Sequence, residues 1–202
     1  MTKVVFNLAD TESRDSYKLL SGLVVPRPIG WIGTRRKDGT NNLAPFSFFN
    51  VASSNPPVVL ISAGSHQDRP KDSATLAELS GEFTVNIVSE VVVEAMSITS
   101  GSFRAEDDEF AIAGLTAVPG HTVDAPLVAE SPANLECKVR QIIDIGERGR
   151  TRLVVGDVLV IHVDDQVLVG THIDSDALRA VGRMAGNSYI TTRDRFEVRR
   201  PV

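Results

Sequence analysis

Arg27-Pro28-Ile29-Gly30-Trp31-Ile32-Gly33-Thr34 and Asn42-Leu43-Ala44-Pro45-Phe46-Ser47-Phe48-Phe49-Asn50 are the two stretches that decide the fold. Ile29 to Thr34 is a short apolar run, and Arg35 to Asn41 is polar around Asp38-Gly39, a strong turn dipeptide. The pattern predicts a hairpin whose returning strand, from Leu43, carries three phenylalanines. Pro45 lies inside that strand. A proline there marks an edge, a bulge or a break in the ladder, so the strand is expected to open near its middle. Trp31 then stands where it covers a planar ring or the rim of a pocket. The same residues also fit a hairpin that packs its aromatics into a small core.

Outward from the hairpin, Val58 to Ser62 is β-rich. Asp72 or Ser73 is placed to cap a helix that turns Leu76 and Leu79 inward and stops at Gly81. Phe83 to Val88 alternates as a strand, and Glu90 to Ile98 reads as helical. Leu135, Cys137, Val139, Gln141, Ile143 and Ile145 predict one buried face of a long strand. Gly146 to Arg150 turns it back into Leu153 to Val163. A short helix is expected from Asp174 to Val181, capped by Asp174 or Ser175, with an irregular polar tail from Gly182. Short strands, turn signals and few helices predict a mainly β barrel or sandwich, and the missing G-x-G-x-x-G argues against a Rossmann fold.

The 202 residues are 42% hydrophobic and 23% charged, the composition of a globular chain with a sizeable core. Twenty-one Lys and Arg face 26 Asp and Glu, for a net charge of -5, which speaks against a nucleic-acid coat. Cys137 stands alone, so neither an intrachain disulfide nor a cysteine zinc cage is expected. No secretory signal or membrane-length apolar run is visible, and the expected location is the cytoplasm. The four histidines lack metal-ligand spacing. Ser131-Pro132 lacks a nucleophile elbow, and Glu106 to Glu109 reads as a solvated acidic loop.

Chemistry concentrates in a second stretch. Ser62, Ser65, His66, Arg69, Lys71, Asp72 and Ser73 run into the expected helix start. Free N–H groups at a helix start attract anions, and Arg and Lys add charge-assisted bonds, so the stretch fits a phosphate site as well as an ordinary solvated loop.

Together, Arg27 to Thr34, Asn42 to Asn50, Pro56-Pro57 and Lys71-Asp72-Ser73 resemble the flavin reductase-like family of FMN-binding split barrels. Gly81 to Asn86, Glu109-Phe110, Gly114-Leu115, Glu130-Ser131-Pro132, Glu136-Cys137 and Gly182 to Tyr189 follow in the same order. Ser73 departs from the family's usual threonine and keeps the hydroxyl. The resemblance covers roughly residues 17 to 192 and treats the chain as one domain over 1–202. It implies a six-stranded split barrel with FMN in a groove at a homodimer interface. Trp31 and the backbone of Asn42, Leu43, Ala44, Pro45, Phe46 and Ser47 would meet the flavin ring. Ser62, Arg69, Lys71 and Ser73 would hold the phosphate, with Arg183 and Tyr189 reaching a flavin site from the C-terminal region. It further implies an NAD(P)H-dependent flavin oxidoreductase that hands electrons to flavin, oxygen or a partner oxygenase. The alternative is an FMN-binding electron-transfer protein without NAD(P)H activity of its own.

Overall fold

The computed structural model describes residues 1–66, 69–145 and 151–201. The first hairpin forms where the sequence places it, with β1 (Gly30–Arg35) antiparallel to β2 (Asn41–Phe46). The chain then breaks for Ser47-Phe48 and resumes as β3 (Phe49–Ser54), which pairs with β4 (Pro57–His66). The short β5 (Arg69–Pro70) folds back on β4 and leads into α2 (Asp72–Ser80) and β6 (Glu82–Ile87). Helices α3 (Val93–Ile98) and α4 (Glu109–Ala113) follow, then a small ladder of β7 (Ala117–Val118) and β8 (Leu127–Val128). The long β9 (Ala133–Ile145) and β10 (Thr151–Val163) complete the large sheet; the turn expected at 146–150 lies outside the described residues.

The large sheet is antiparallel, in the order β2-β1-β6-β9-β10-β4-β3. Its two end strands, β2 and β3, are consecutive in the chain and separated by only Ser47 and Phe48. So short a link spans roughly 10 Å, which forces the sheet to curl until its ends meet. Ser62 N–H donates to Phe48 O at 2.8 Å, which carries the β3–β4 ladder one step into that link. The result is a split barrel, mainly β with short helices, as the sequence predicts.

Two apolar clusters follow from the strand alternation. Ile32, Phe46, Ile61, Phe83, Val85, Cys137 and Val154 fill the barrel, with Ala74 and Ala77 of α2 packed against them. Trp31, Leu43, Val88, Met96, Phe110 and Val128 form a second cluster that joins β1 and β2 to α3 and α4. Gly156 permits the close approach of β10 to Phe83, because a Cβ there would stand 2.4 Å from the Phe83 ring. Gly156→Ala should therefore cost about 1–3 kcal/mol of stability by overpacking. An unchanged urea midpoint would show that the ring yields without penalty.

Several expectations need correction. The inward face of α2 is Ser73, Ala74 and Ala77, while Leu79 is exposed, because only small side chains fit so close to the barrel. The cap is neither Asp72 nor Ser73: the N-cap position is Lys71, with no side-chain cap bond, whereas Gly81 ends the helix in the left-handed conformation. In β9 the register skips Arg140, since Gln141 pairs with Val155 and Val139 with Gly156. Such a bulge flips the alternation, so Ile142 packs on the core while Ile143 and Ile145 face out. Pro45 does not break the ladder; it pairs with Trp31, and the strand opens two residues later.

The polar tail is ordered into the hairpin of β13 (Val181–Arg183) and β14 (Tyr189–Thr191). It follows β11 (Leu168–Val169), β12 (His172–Ile173) and α5 (Ser175–Leu178), which Asp174 caps as expected. Ahead of the barrel lies α1 (Ser13–Leu23), which the sequence reading missed. Only Ser21 of α1 is buried, and Tyr17, Leu20 and Leu23 are exposed, together with Val24 just past its end.

Candidate functional site

At the seam of the barrel the two-residue joint between β2 and β3 opens onto a groove of about 640 Å³. Pro45, Phe46, Ser47 and Phe48 line it at the joint, beside Ser62, Gly64 and Ser65 of the neighbouring β4. Helix α1 contributes Tyr17 and Ser21, α3 contributes Met96, and the β13–β14 hairpin contributes Arg183 and Tyr189. Arg27, Lys71 and Arg183 bring three positive charges, and no Asp or Glu occurs among the described residues that line the groove. In a chain of net charge -5 this is a local inversion of sign. Phe48, which is exposed, and Tyr189 supply flat apolar surface beside it.

A second hollow of about 430 Å³ adjoins the first and shares Pro45, Lys71 and Ser100 with it. Asn42, Ala44, Ser73, Arg104 and Glu109 line this side. Lys71 therefore stands between the two, its Nζ 5.2 Å from the centre of the Phe46 ring. Burial there pushes its ammonium below the usual lysine range. Because Lys71 leaves α2 without a side-chain cap, the first N–H groups of the helix lie open beside a cation, an arrangement that suits an anion.

The free edge of β2 explains the role of Pro45. Leu43 N–H points away from β1 and donates to Glu109 Oε2 at 3.1 Å. Residues two apart face the same way, so Pro45 also sits with its missing N–H on the outer edge, where no ladder bond is lost. Glu109 is buried beneath this edge, and burial pushes its carboxyl above the usual range against the N–H groups that it accepts. The acidic run is thus not all solvated: Asp108 caps α4 and Glu109 holds β2.

Of the residues singled out from sequence, Pro45, Phe46, Ser47, Ser62, Lys71, Arg183 and Tyr189 meet in the groove. Asn42, Ala44 and Ser73 lie in the adjoining hollow, where Asn42 Nδ2 donates to Ser73 Oγ at 3.0 Å. The Arg69 backbone pairs with His66, and its side chain is outside the described residues. Trp31 does not cover a ring: it is fully buried in the second cluster, and its indole N–H donates to Thr99 Oγ1 at 2.9 Å. Leu43, expected to offer its backbone, has its N–H already taken by Glu109. Arg27 and Glu109 are site residues that sequence reasoning passed over. A charged residue before Pro28 and one within an acidic run carried no signal of burial.

Comparison with known proteins places this geometry. The flavin reductase like domain matches residues 21–177. A protein of Halalkalibacterium halodurans is 42% identical over 193 residues, covering 94% of this chain and 92% of its own. The crystal structure of nitrilotriacetate monooxygenase component B from Bacillus cereus superposes with a TM-score of 0.95 at 29% identity, covering 98% of this chain and 100% of that one. The 2-nitrobenzoate 2-nitroreductase of Pseudomonas fluorescens gives 0.90 at 26%, covering 98% and 96%. The chain belongs to the flavin reductase-like family. Its class is a flavin-related oxidoreductase built on a split barrel.

Proposed function

We propose that the groove binds FMN and that the protein transfers hydride from NADH or NADPH to it. The observation that carries this reading is the groove with three cations and no described carboxylate in an acidic protein. FMN requires a dianion site, a flat apolar wall and donors at the ring edge, and the residues present meet all three needs. Lys71, Ser62, Ser73 and Arg69 hold the phosphate, with the open N–H groups of α2. Pro45, Phe46, Ser47 and Tyr189 face the ring, with Asn42 and Ala44 on the side of the adjoining hollow. Arg183 donates to the Tyr189 hydroxyl and to Gly186 O, which fixes that wall. When bound, the flavin supplies the redox chemistry, and the protein's part is alignment and electrostatics.

The chain works in this reading as one flavin-binding domain over 1–202, in the cytoplasm. Among the described residues no helix is long and apolar enough to cross a membrane. A second copy covers the groove. Exposed Leu20, Leu23 and Val24 continue from the groove residue Tyr17 and would be buried by a two-fold partner. Light scattering should report a dimer, and a monomer that retains FMN would contradict the arrangement. The likeness to a monooxygenase component supports a partner oxygenase as electron acceptor.

Mixing the FMN-loaded protein with NADH or NADPH without air tests the reaction. Bleaching of the yellow band within seconds is expected. A band that only a chemical reductant bleaches would make the protein an electron carrier instead.

A further inference from the structure

Arg27 is only 6% exposed, yet among the described residues it has no carboxylate partner. Its guanidinium spends its donors on neutral oxygens in three separate segments. Nε donates to Ser47 Oγ at 3.2 Å, at the joint between β2 and β3. Nη1 donates to Ser21 O at 2.5 Å and Val24 O at 2.9 Å, at the end of α1. Nη2 donates to Met184 O at 3.1 Å, in the turn of the β13–β14 hairpin. The Arg27 backbone also exchanges hydrogen bonds with Arg183, at 3.0 and 2.8 Å. Phe48 lies over the guanidinium, with its ring centre 5.7 Å from Cζ, and Tyr17 packs on Phe48 at 6.5 Å. A buried arginine ordinarily needs an acid to offset its desolvation. Here the charge is left whole at the groove wall.

We propose that Arg27 is the positioning residue of the groove: its guanidinium fork pins the Ser47 hydroxyl and holds the β2–β3 joint in the one arrangement that the flavin ring meets. This rests on the reading of the groove as a flavin site. Because the Ser47 oxygen accepts from Arg27, the hydroxyl's own proton is directed elsewhere and is free for a ligand. Leu43 N–H is taken by Glu109 and Pro45 has none, so the outer edge of β2 offers a ligand no N–H at either position, and the Ser47 hydroxyl follows just past the strand's end. An oriented donor and a fixed cation at this edge both favour the negative charge that reduction places on the ligand. A lysine keeps the charge, but as a single point it cannot hold three segments at once.

The test is Arg27→Lys. FMN and riboflavin should both bind about tenfold more weakly, since the contact concerns the ring and not the phosphate. If the oxidised and reduced forms differ by a further factor of about ten, the potential of bound flavin falls by about 30 mV. In the flavin-free protein, amide exchange at Ser47 to Phe49 should speed up. Ser47→Ala, which leaves Arg27 and the barrel core in place, should lower the potential in the same direction. A folded Arg27→Lys variant with wild-type riboflavin affinity, potential and exchange would overturn the proposal. If that variant does not fold, Ser47→Ala decides, and an unchanged potential overturns it. A wild type that takes up no FMN overturns the reading of the groove itself, and is recognised before any variant is made.

Discussion

Lys71→Ala should weaken FMN binding ten- to a hundredfold and leave riboflavin, which lacks the phosphate, nearly untouched. The loss corresponds to one charge-assisted contact of about 1.5–3 kcal/mol. Lys71 stands between the two hollows at the uncapped start of α2, where a phosphate would meet both its ammonium and the free N–H groups of the helix. The helix N–H groups survive the substitution, so binding is weakened rather than abolished. The desolvated ammonium adds a pH signature. Burial lowers its pKa, so it loses its proton at a pH where an ordinary lysine is still charged. FMN affinity should accordingly fall on the alkaline side, earlier than free lysine would dictate, and riboflavin affinity should not follow it. Calorimetric titration of both ligands against pH checks this. Equal losses for the two ligands would mean that the variant disturbed the barrel.

Glu136→Ala should cost about 3–5 kcal/mol of stability, the largest single effect expected outside the apolar core. Glu136 is fully buried on β9 and serves as the acceptor for a whole loop. Its Oε1 accepts from His121 N–H at 2.6 Å and lies 2.6 Å from His162 Nε2. Its Oε2 accepts from Thr122 N–H at 2.6 Å, Thr122 Oγ1 at 2.7 Å and Val123 N–H at 3.0 Å. Burial alone would raise the carboxyl, but the bonds from His121, Thr122 and His162 outweigh it and hold the pKa at about 2. A depressed carboxylate contributes its full stability above its ordinary value of 4.5. That contribution is lost as pH falls through about 2. Glu136→Gln should therefore flatten the acid side of the stability profile in urea unfolding, as well as lower its plateau. The loop lies away from the groove, so FMN affinity of the folded fraction should stay at the wild-type value. A Glu136→Gln profile parallel to that of the wild type between pH 5 and 2 would contradict the role given to this carboxylate.

The residues that were legible in sequence are those whose local chemistry agrees with their place in the fold. Asp38-Gly39 between two β-rich runs announced the first hairpin, and Lys71 before a helical run announced a cation at a helix start. Other features were set by packing that one stretch of sequence does not carry. Trp31 read as a ring-covering surface because nothing local says that α3 and α4 cover the outside of β1 and β2. The helical pattern put Leu79 inward, but the barrel admits only the small Ser73, Ala74 and Ala77 on that face. The bulge at Arg140 leaves no mark in the alternation of Leu135 to Ile145, yet beyond it the inward face shifts from Ile143 and Ile145 to Ile142. Arg27 and Glu109 were hidden for a related reason. A charged side chain is expected in water, and each is buried here by partners distant in sequence: Ser47 and Met184 for Arg27, Leu43 for Glu109.

Soaking FMN into crystals of the flavin-free protein shows where the ligand sits. Ligand density is expected in the groove at the β2–β3 joint, with the phosphate within hydrogen-bond distance of Lys71 Nζ and the ring against Pro45, Phe46 and Ser47. Density for the phosphate elsewhere, or a groove that stays empty at saturating FMN, would contradict it.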